Sequence, residues 1–263
     1  MNLFEQSNAF SGEDTATEDM KFEAQDITWD AWDASSSATR KRLANKALAI
    51  DPYCTDAYNV LAFEYRSNPK KREYYEKALK SFYLRNDKHF FEENKGHFWG
   101  ILETRPFMRA MEGYGEVLRE EGDIVKAIEI YEYLLELNPN DNQGIRYGLL
   151  NWYLSIDYLE KAKKLMETYD EDTAFMLFNS LLYGIKSGES ESVLEKKYRM
   201  AVKANKYVVP FLFGEIEEPE YLSSHYALGS EEEAFLYVYE MKIVWIIEDK
   251  LETLRKFRKK RKK

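Results

Sequence analysis

Apolar side chains recur along most of the chain at intervals of three and four residues, the period of an α-helix with one buried face. The stretch from Arg109 to Asp141 shows this pattern most clearly. Its two helical faces carry the small and apolar residues Tyr114, Gly115, Leu118, Ala127, Tyr131 and Leu134. Gly122 ends the first predicted helix. Pro139 ends the second predicted helix, because proline lacks the amide hydrogen that a helix needs. The pattern therefore predicts an antiparallel pair of helices.

The same spacing predicts further helix pairs on both sides of this stretch. An earlier helix end and the helix after it are marked by Ala44, Ala47, Pro52, Ala57, Tyr58 and Leu61, and a later pair by Trp152 and Ala162. Two more pairs are predicted, the first from Thr173 to Asn205 and the last from Ser230 to Arg255. Ser230 followed three residues later by Glu233 is a capping-box start for the last pair.

Two segments depart from the helical pattern. The chain near residues 84–105 is an irregular insertion, because the distance from Pro52 to Pro139 exceeds a whole number of such helix pairs. The segment from Lys206 to Leu222 reads as an apolar connection. Elsewhere the composition favours helices, with only 12 Gly and 6 Pro among 263 residues. We therefore predict an all-α fold.

The stretch from Arg109 to Asp141 resembles a tetratricopeptide repeat, a helix pair of about 34 residues. Small residues at Gly115 and Ala127 would let the two helices approach closely, and Tyr131 would fill the gap between neighbouring pairs. The resemblance implies a tetratricopeptide-like α-solenoid of antiparallel helix pairs. We expect a flexible segment at 1–24, a helical-repeat domain at 25–254 and a basic tail at 255–263.

A narrower resemblance covers nearly the whole chain, from Gln25 to Trp245. It lies in DAYNVLAFEY, YYEKALK, GHFWGILETRPFMRA, LNPNDNQGIRY, ANKYVVPFLFGEIEEPEY and GSEEEAFLYV, in this order. These blocks resemble the suppression-of-tumorigenicity-seven family and its bacterial tetratricopeptide relatives. The resemblance implies a helical-repeat protein without an established enzymatic activity. Eukaryotic members carry additional hydrophobic membrane segments, and no such segment occurs in this sequence.

The net charge of −9 conceals an asymmetry, since eight of the nine residues from Arg255 to Lys263 are Lys or Arg. The rest of the chain is strongly acidic and would repel nucleic acid and anionic membranes. The basic run is expected to be a solvated, disordered end. Binding of nucleic acid or an anionic surface through this tail remains an alternative function.

The first residues lack the basic and apolar regions of a signal peptide, and no apolar run approaches the roughly 20 residues that span a bilayer. Cys54 is the only cysteine, so no disulfide can form within the chain. We therefore expect a cytoplasmic protein.

Catalytic and metal-binding patterns are sparse. His89, Glu93 and His97 would share one face of a continuous helix, but Gly96 makes continuity doubtful, and no metal site is predicted. No nucleophile motif or phosphate-binding loop is found. We expect no cofactor and no enzymatic activity, with an enzyme site between His97 and Arg105 as the alternative.

Binding of a protein or peptide partner is favoured instead. In tetratricopeptide repeats the second, fifth, ninth and twelfth residues of each first helix face the concave groove. By resemblance these residues are Asp56, Asn59, Phe63, Arg66, Arg109, Glu112, Glu116, Arg119, Gln143, Arg146, Leu150 and Tyr153. The planar guanidinium group of arginine can donate two parallel hydrogen bonds to a carboxylate, and Phe63 and Tyr153 add apolar area. A peptide with an acidic group and an adjacent aliphatic side chain would therefore suit this groove. The alternative for each arginine is an ordinary surface ion pair.

The segment around Trp99 and Arg105 has two interpretations. We favour the interpretation as an internal brace, because large aromatic side chains are usually buried. In this interpretation Phe98, Trp99 and Phe107 pack in the interior, and Arg105 pairs with another group of the chain. Alternatively, Trp99 and Arg105 contact a ligand. Trp29 and Trp32 are likewise expected to be packing residues. The candidate ligand-binding residues are Asn59, Trp99, Arg105, Arg109, Arg119, Arg146 and Tyr153.

Overall fold

A computed structural model describes residues 14–221, 225–247 and 250–261. This part of the chain contains fourteen α-helices and no β-strand, which confirms the predicted all-α class. The chain divides into two compact units, with the boundary between Ile145 and Arg146.

The first unit is built from pairs of neighbouring helices. Its helices are α1 (Glu18–Asp33), α2 (Ser37–Ile50), α3 (Thr55–Glu64), α4 (Asn68–Arg85), α5 (Lys88–Asn94), α6 (Arg105–Glu120) and α7 (Ile124–Leu137). α1 packs on α2, α3 on α4, and α6 on α7. In addition α1 contacts α3 and α3 contacts α6, so the first helices of the three pairs lie side by side.

The pair α6 and α7 packs as its sequence predicts. A Cβ atom added to Gly115 would lie 2.8 Å from the ring of Tyr131, so only glycine allows this approach. Ala127 is fully buried and Tyr131 is 3% exposed. Gly122 follows α6 with a φ of +89°, a left-handed conformation that glycine adopts readily.

The second unit also consists of α-helices. Its helices are α8 (Ile145–Ser155), α9 (Leu159–Thr168), α10 (Ala174–Ser187), α11 (Glu191–Ala204), α12 (Val208–Leu212), α13 (Glu231–Ile246) and α14 (Leu251–Arg261). α10 packs on α9, α11 and α13, while α12 packs on α13 and α14 contacts α11.

A chain of buried polar groups crosses the core of the second unit. Trp245 donates its indole N–H to the Tyr237 hydroxyl over 2.9 Å, and that hydroxyl donates to Asn179 Oδ1 over 3.1 Å. Asn179 Nδ2 then donates to Asn151 Oδ1 over 2.6 Å, and Asn151 donates to Glu240. Each group has a partner, as buried polar groups require.

Several segments differ from their expected structure. α1 begins at Glu18, inside the segment 1–24 expected to be flexible, and residues 1–13 lie outside the described part. The connection 206–222 contains the short helix α12, whose Val208, Val209, Phe211 and Leu212 are buried; Leu222 is not described. The basic run is helical up to Arg261 as part of α14, and residues 262–263 lie outside the described part. Buried apolar side chains stabilise both helices.

Among the described ranges, no helix is both long enough and apolar enough to cross a membrane.

Candidate functional site

Helices α1, α3, α4 and α6 of the first unit surround a groove with a volume of about 310 Å³. Its walls include Trp32, Asn59, Phe63, Arg109, Glu112 and Glu116. Five of these six stand at positions predicted from the repeat pattern to face a groove. The groove lies where α1 contacts α3 and α3 contacts α6.

Asp56 forms a fixed polar floor beside this groove. Its side chain is completely buried, and it accepts hydrogen bonds from four residues. Arg109 donates to both carboxylate oxygens, over 2.8 and 3.3 Å. Trp32 Nε1 and Gln25 Nε2 donate over 3.2 and 3.3 Å, and Asn59 Nδ2 donates over 3.2 Å. These donors compensate the cost of burying the carboxylate charge.

Asn59 has one polar atom whose bonding capacity is unused. Its Nδ2 also donates to the Pro106 carbonyl over 2.8 Å, which connects α3 to α6. The whole residue is only 2% exposed, and its buried Oδ1 accepts no hydrogen bond. A buried acceptor without a donor costs about 1–3 kcal/mol, so a group that brings a donor to it is favoured.

Aromatic side chains form the apolar wall of the groove. Phe63 is 61% exposed, and its ring meets that of Trp32 edge to face with centroids 5.8 Å apart. Tyr75 extends from α4 towards Gly113, where an added Cβ would lie 2.2 Å from the Tyr75 ring. The glycine therefore makes room for the tyrosine ring at the edge of the groove.

Three carboxylates line the α6 side. Burial raises the pKa of the Glu112 carboxyl above its ordinary value of 4.5, and the charge of Glu116 raises it further. A hydrogen bond of 2.6 Å from Gln143 opposes this shift. Glu116 accepts from the Tyr131 hydroxyl over 2.8 Å, and Glu120 lies 4.0 Å from Lys71.

The arginines predicted to hold an acidic ligand are paired with carboxylates of the chain itself. Arg109 binds Asp56, and Arg119 donates to Glu116 over 2.9 Å. The positive charge of both arginines is therefore already balanced by carboxylates of the chain, and an acidic ligand would have to compete with these carboxylates.

Arg146 and Tyr153 lie in the second unit and have structural contacts there. Arg146 is bound to Glu171 over 2.9 Å, and its guanidinium lies 4.3 Å from the centre of the Tyr147 ring. Tyr153 is 4% exposed and belongs to the core. Neither offers an open surface to a ligand.

The segment around Trp99 packs as the brace interpretation describes. Phe98 and Phe107 are fully buried, and Phe107 stacks on Phe82 with centroids 4.6 Å apart. Arg105 donates to the Trp99 carbonyl over 3.0 Å and lies 4.9 Å above the Trp99 ring. Trp99 itself is half-buried.

The histidines examined for metal binding are not brought together. His89 faces Glu93 within α5, at 3.1 Å, whereas His97 lies beyond the end of that helix. Within the described ranges, no three His, Cys, Asp or Glu side chains are arranged to hold a metal ion.

The basic residues of α14 are engaged in ion pairs with carboxylates of the second unit. Lys256 and Lys260 each contact Glu191 at 2.5 Å and lower the pKa of its carboxyl to about 2. Arg258 binds both oxygens of Glu215, at 2.6 and 2.7 Å. An anionic ligand at these side chains would have to displace the carboxylates.

Sequence reasoning missed the contributions of Trp32, Lys71 and Tyr75 to the groove. Trp32 was expected to be a packing residue, and it lines the groove. Trp29 was also expected to be a packing residue, but it is 52% exposed. A usable signal existed in α1, because Gln25 and Trp32 are two helical turns apart and both donate to Asp56.

Comparisons with models of known protein families and with curated proteins find no match to this chain.

Proposed function

We propose that the first unit is a non-catalytic interaction module that binds a peptide segment of a partner protein in the groove of α1, α3, α4 and α6. The observation that carries this proposal is the groove itself, which exposes the ring of Phe63 and whose wall includes Asn59, a residue with a buried Oδ1 that accepts no hydrogen bond. Peptide ligands supply both groups that such a site lacks, a hydrogen-bond donor and an apolar side chain.

The arrangement of the helices supports the same proposal. α1, α3 and α6 are the first helices of successive pairs, and tetratricopeptide repeats use this set of helices to bind peptides. The resemblance to these repeats and to the suppression-of-tumorigenicity-seven family favours a scaffold over an enzyme. The floor at Asp56 is already hydrogen-bonded, so little rearrangement is needed when a ligand binds.

The proposal is tested with the full chain as bait in affinity purification followed by mass spectrometry. Phe63→Ala removes an exposed ring from the groove, while Leu84→Ala removes a side chain of similar exposure, 59% against 61%, that does not line it. We expect partners that wild type and Leu84→Ala retain and Phe63→Ala loses. Retrieval of the same proteins by all three baits would overturn the groove as the binding site.

A further inference from the structure

We infer that the segment bound in this groove presents a lysine or arginine side chain next to an apolar one. This inference rests on the proposed function and reverses the acidic ligand expected from the sequence. Three properties of the groove carry it: its balanced cations, its excess of carboxylates and its unpartnered acceptors.

The cations of the groove are already neutralised. Arg109 is held by Asp56, whose side chain has no exposure to solvent. A ligand carboxylate would have to share Arg109 with this buried carboxylate, and like charges in close contact repel. Lys71, the other lining cation, lies 4.0 Å from Glu120.

Carboxylates are in excess along α6. Glu112, Glu116 and Glu120 are spaced four residues apart, so they follow one another on the same side of the helix. Glu116 is paired with Arg119 and Glu120 lies 4.0 Å from Lys71, while the charge of Arg109 is balanced by Asp56. Among the described residues no ion pair involves Glu112, so one negative charge of the groove is left over. Glu112 is largely shielded from water, where a cation from a ligand gains more than it would at the surface.

The unpartnered polar atoms also require donors. Asn59 Oδ1 and Gln143 Oε1 are buried acceptors without a hydrogen bond. Asn59 lines the groove, and Gln143, which does not, donates to the lining residue Glu112 over 2.6 Å. An ammonium group brings three donors and a guanidinium five, whereas a carboxylate brings none.

The aromatic wall suits the rest of such a side chain. The faces of Phe63 and Trp32 can pack against the hydrocarbon stem of a lysine or arginine, and aromatic rings attract cations. Phe63 is exposed enough to cover a neighbouring apolar residue of the ligand as well.

The test selects binders of the full chain from a library of short random peptides and measures the enriched peptides by fluorescence polarisation. We expect sequences in which Lys or Arg neighbours an aliphatic or aromatic residue, with affinity that falls as salt rises. Glu112→Gln and Glu120→Gln should each weaken binding by about three- to tenfold, and Phe63→Ala by about tenfold. Glu129→Gln, an exposed carboxylate of α7 outside the groove, should leave affinity unchanged.

The other outcomes separate this inference from the function on which it rests. Enrichment of acidic peptides that Phe63→Ala fails to retain overturns the inference and leaves the groove as a peptide site. Basic peptides that bind all variants equally overturn it too, because they attach elsewhere on an acidic chain. Failure to enrich any peptide also overturns it, while the affinity purification decides independently whether the groove binds a partner.

Discussion

Arg109 of α6 holds both carboxylate oxygens of Asp56 in α3, and Asp56 is completely buried. The ion pair therefore joins the first helices of two successive pairs. Arg109 therefore holds the buried Asp56 beside the groove, and the exposed part of the Arg109 side chain lines the groove.

Removal of this arginine is expected to destabilise the chain. Arg109→Ala leaves a buried carboxylate with neutral donors only, at a cost of about 2–4 kcal/mol. Arg66→Ala, which truncates an exposed arginine just beyond α3, should change the free energy of unfolding by less than about 0.5 kcal/mol. Urea unfolding measures both variants. Equal transition midpoints would show that Asp56 does not depend on Arg109.

Glu112 is expected to make stability depend on pH. Its pKa is raised in the folded chain above 4.5, so the folded state holds the proton more tightly than the unfolded state does. The contribution of Glu112 to stability is therefore largest below pH 4.5 and is lost as the pH rises from there through the folded pKa. Glu112→Gln removes this loss.

Urea unfolding across this pH range checks the sign. Relative to wild type, Glu112→Gln should gain stability as pH rises, and the amide can still accept the hydrogen bond from Gln143. Glu129→Gln is the matched control for the loss of one negative charge. A difference between Glu112→Gln and wild type that does not change with pH would contradict the raised pKa.

Alanine substitutions at two glycines of α6 are expected to have different effects, one on peptide affinity and the other on the free energy of unfolding. Gly113→Ala places a Cβ against the half-buried Tyr75 and displaces its ring at the edge of the groove, so peptide affinity should fall about tenfold. Its stability should change little, because alanine favours the helix by about 1 kcal/mol. Gly115→Ala collides with the buried Tyr131 and should cost about 1–3 kcal/mol of stability.

Fluorescence polarisation and urea unfolding of both alanine variants test this separation. If Gly113→Ala binds peptide as wild type does, Tyr75 does not shape the groove.

The free energy of unfolding should fall when a single oxygen is removed from the buried hydrogen-bond network of the second unit. Tyr237→Phe leaves the Trp245 indole N–H and Asn179 Oδ1 without their shared partner, at a cost of about 2–4 kcal/mol. Tyr239→Phe makes the same chemical change at a residue that is 65% exposed and should cost almost nothing. Thermal unfolding of the two variants provides the comparison, and similar midpoints would contradict the network.

Helix α14 should be held by its apolar contact more than by its charges. Phe257 is 2% exposed and packs on Tyr198 with ring centroids 5.6 Å apart, so Phe257→Ala should cost about 3–5 kcal/mol. Lys256→Gln removes an ion pair between two largely exposed side chains and should lower the free energy of unfolding much less than Phe257→Ala does. Urea unfolding distinguishes them, and a larger effect of Lys256→Gln would reverse this ranking.

Ser230 illustrates what a local sequence signal identified. Ser230 accepts a hydrogen bond from the Glu233 amide over 3.2 Å, as its spacing predicts. The Glu233 carboxylate instead accepts from Ala174, Asn205 and Gly229. Ala174 and Asn205 belong to distant parts of the sequence, so no local pattern could reveal these bonds.

The groove shows the same limit. The resemblance to tetratricopeptide repeats placed Asn59, Phe63 and Arg109 on one surface, while helical periodicity alone relates only residues of the same helix, such as Asn59 and Phe63. It could not show that Arg109 would be bound by Asp56, since that depends on how closely α3 and α6 approach. This contact is one reason why we propose a basic ligand in place of the acidic ligand expected from the sequence.

The four residues that donate to Asp56 also bear on how quickly the proposed groove would bind a peptide. Gln25, Trp32, Asn59 and Arg109 hold the floor in one arrangement before any encounter occurs. Capture should then be limited by collision and by long-range attraction between opposite charges, and the lifetime of the complex by what is gained at Phe63.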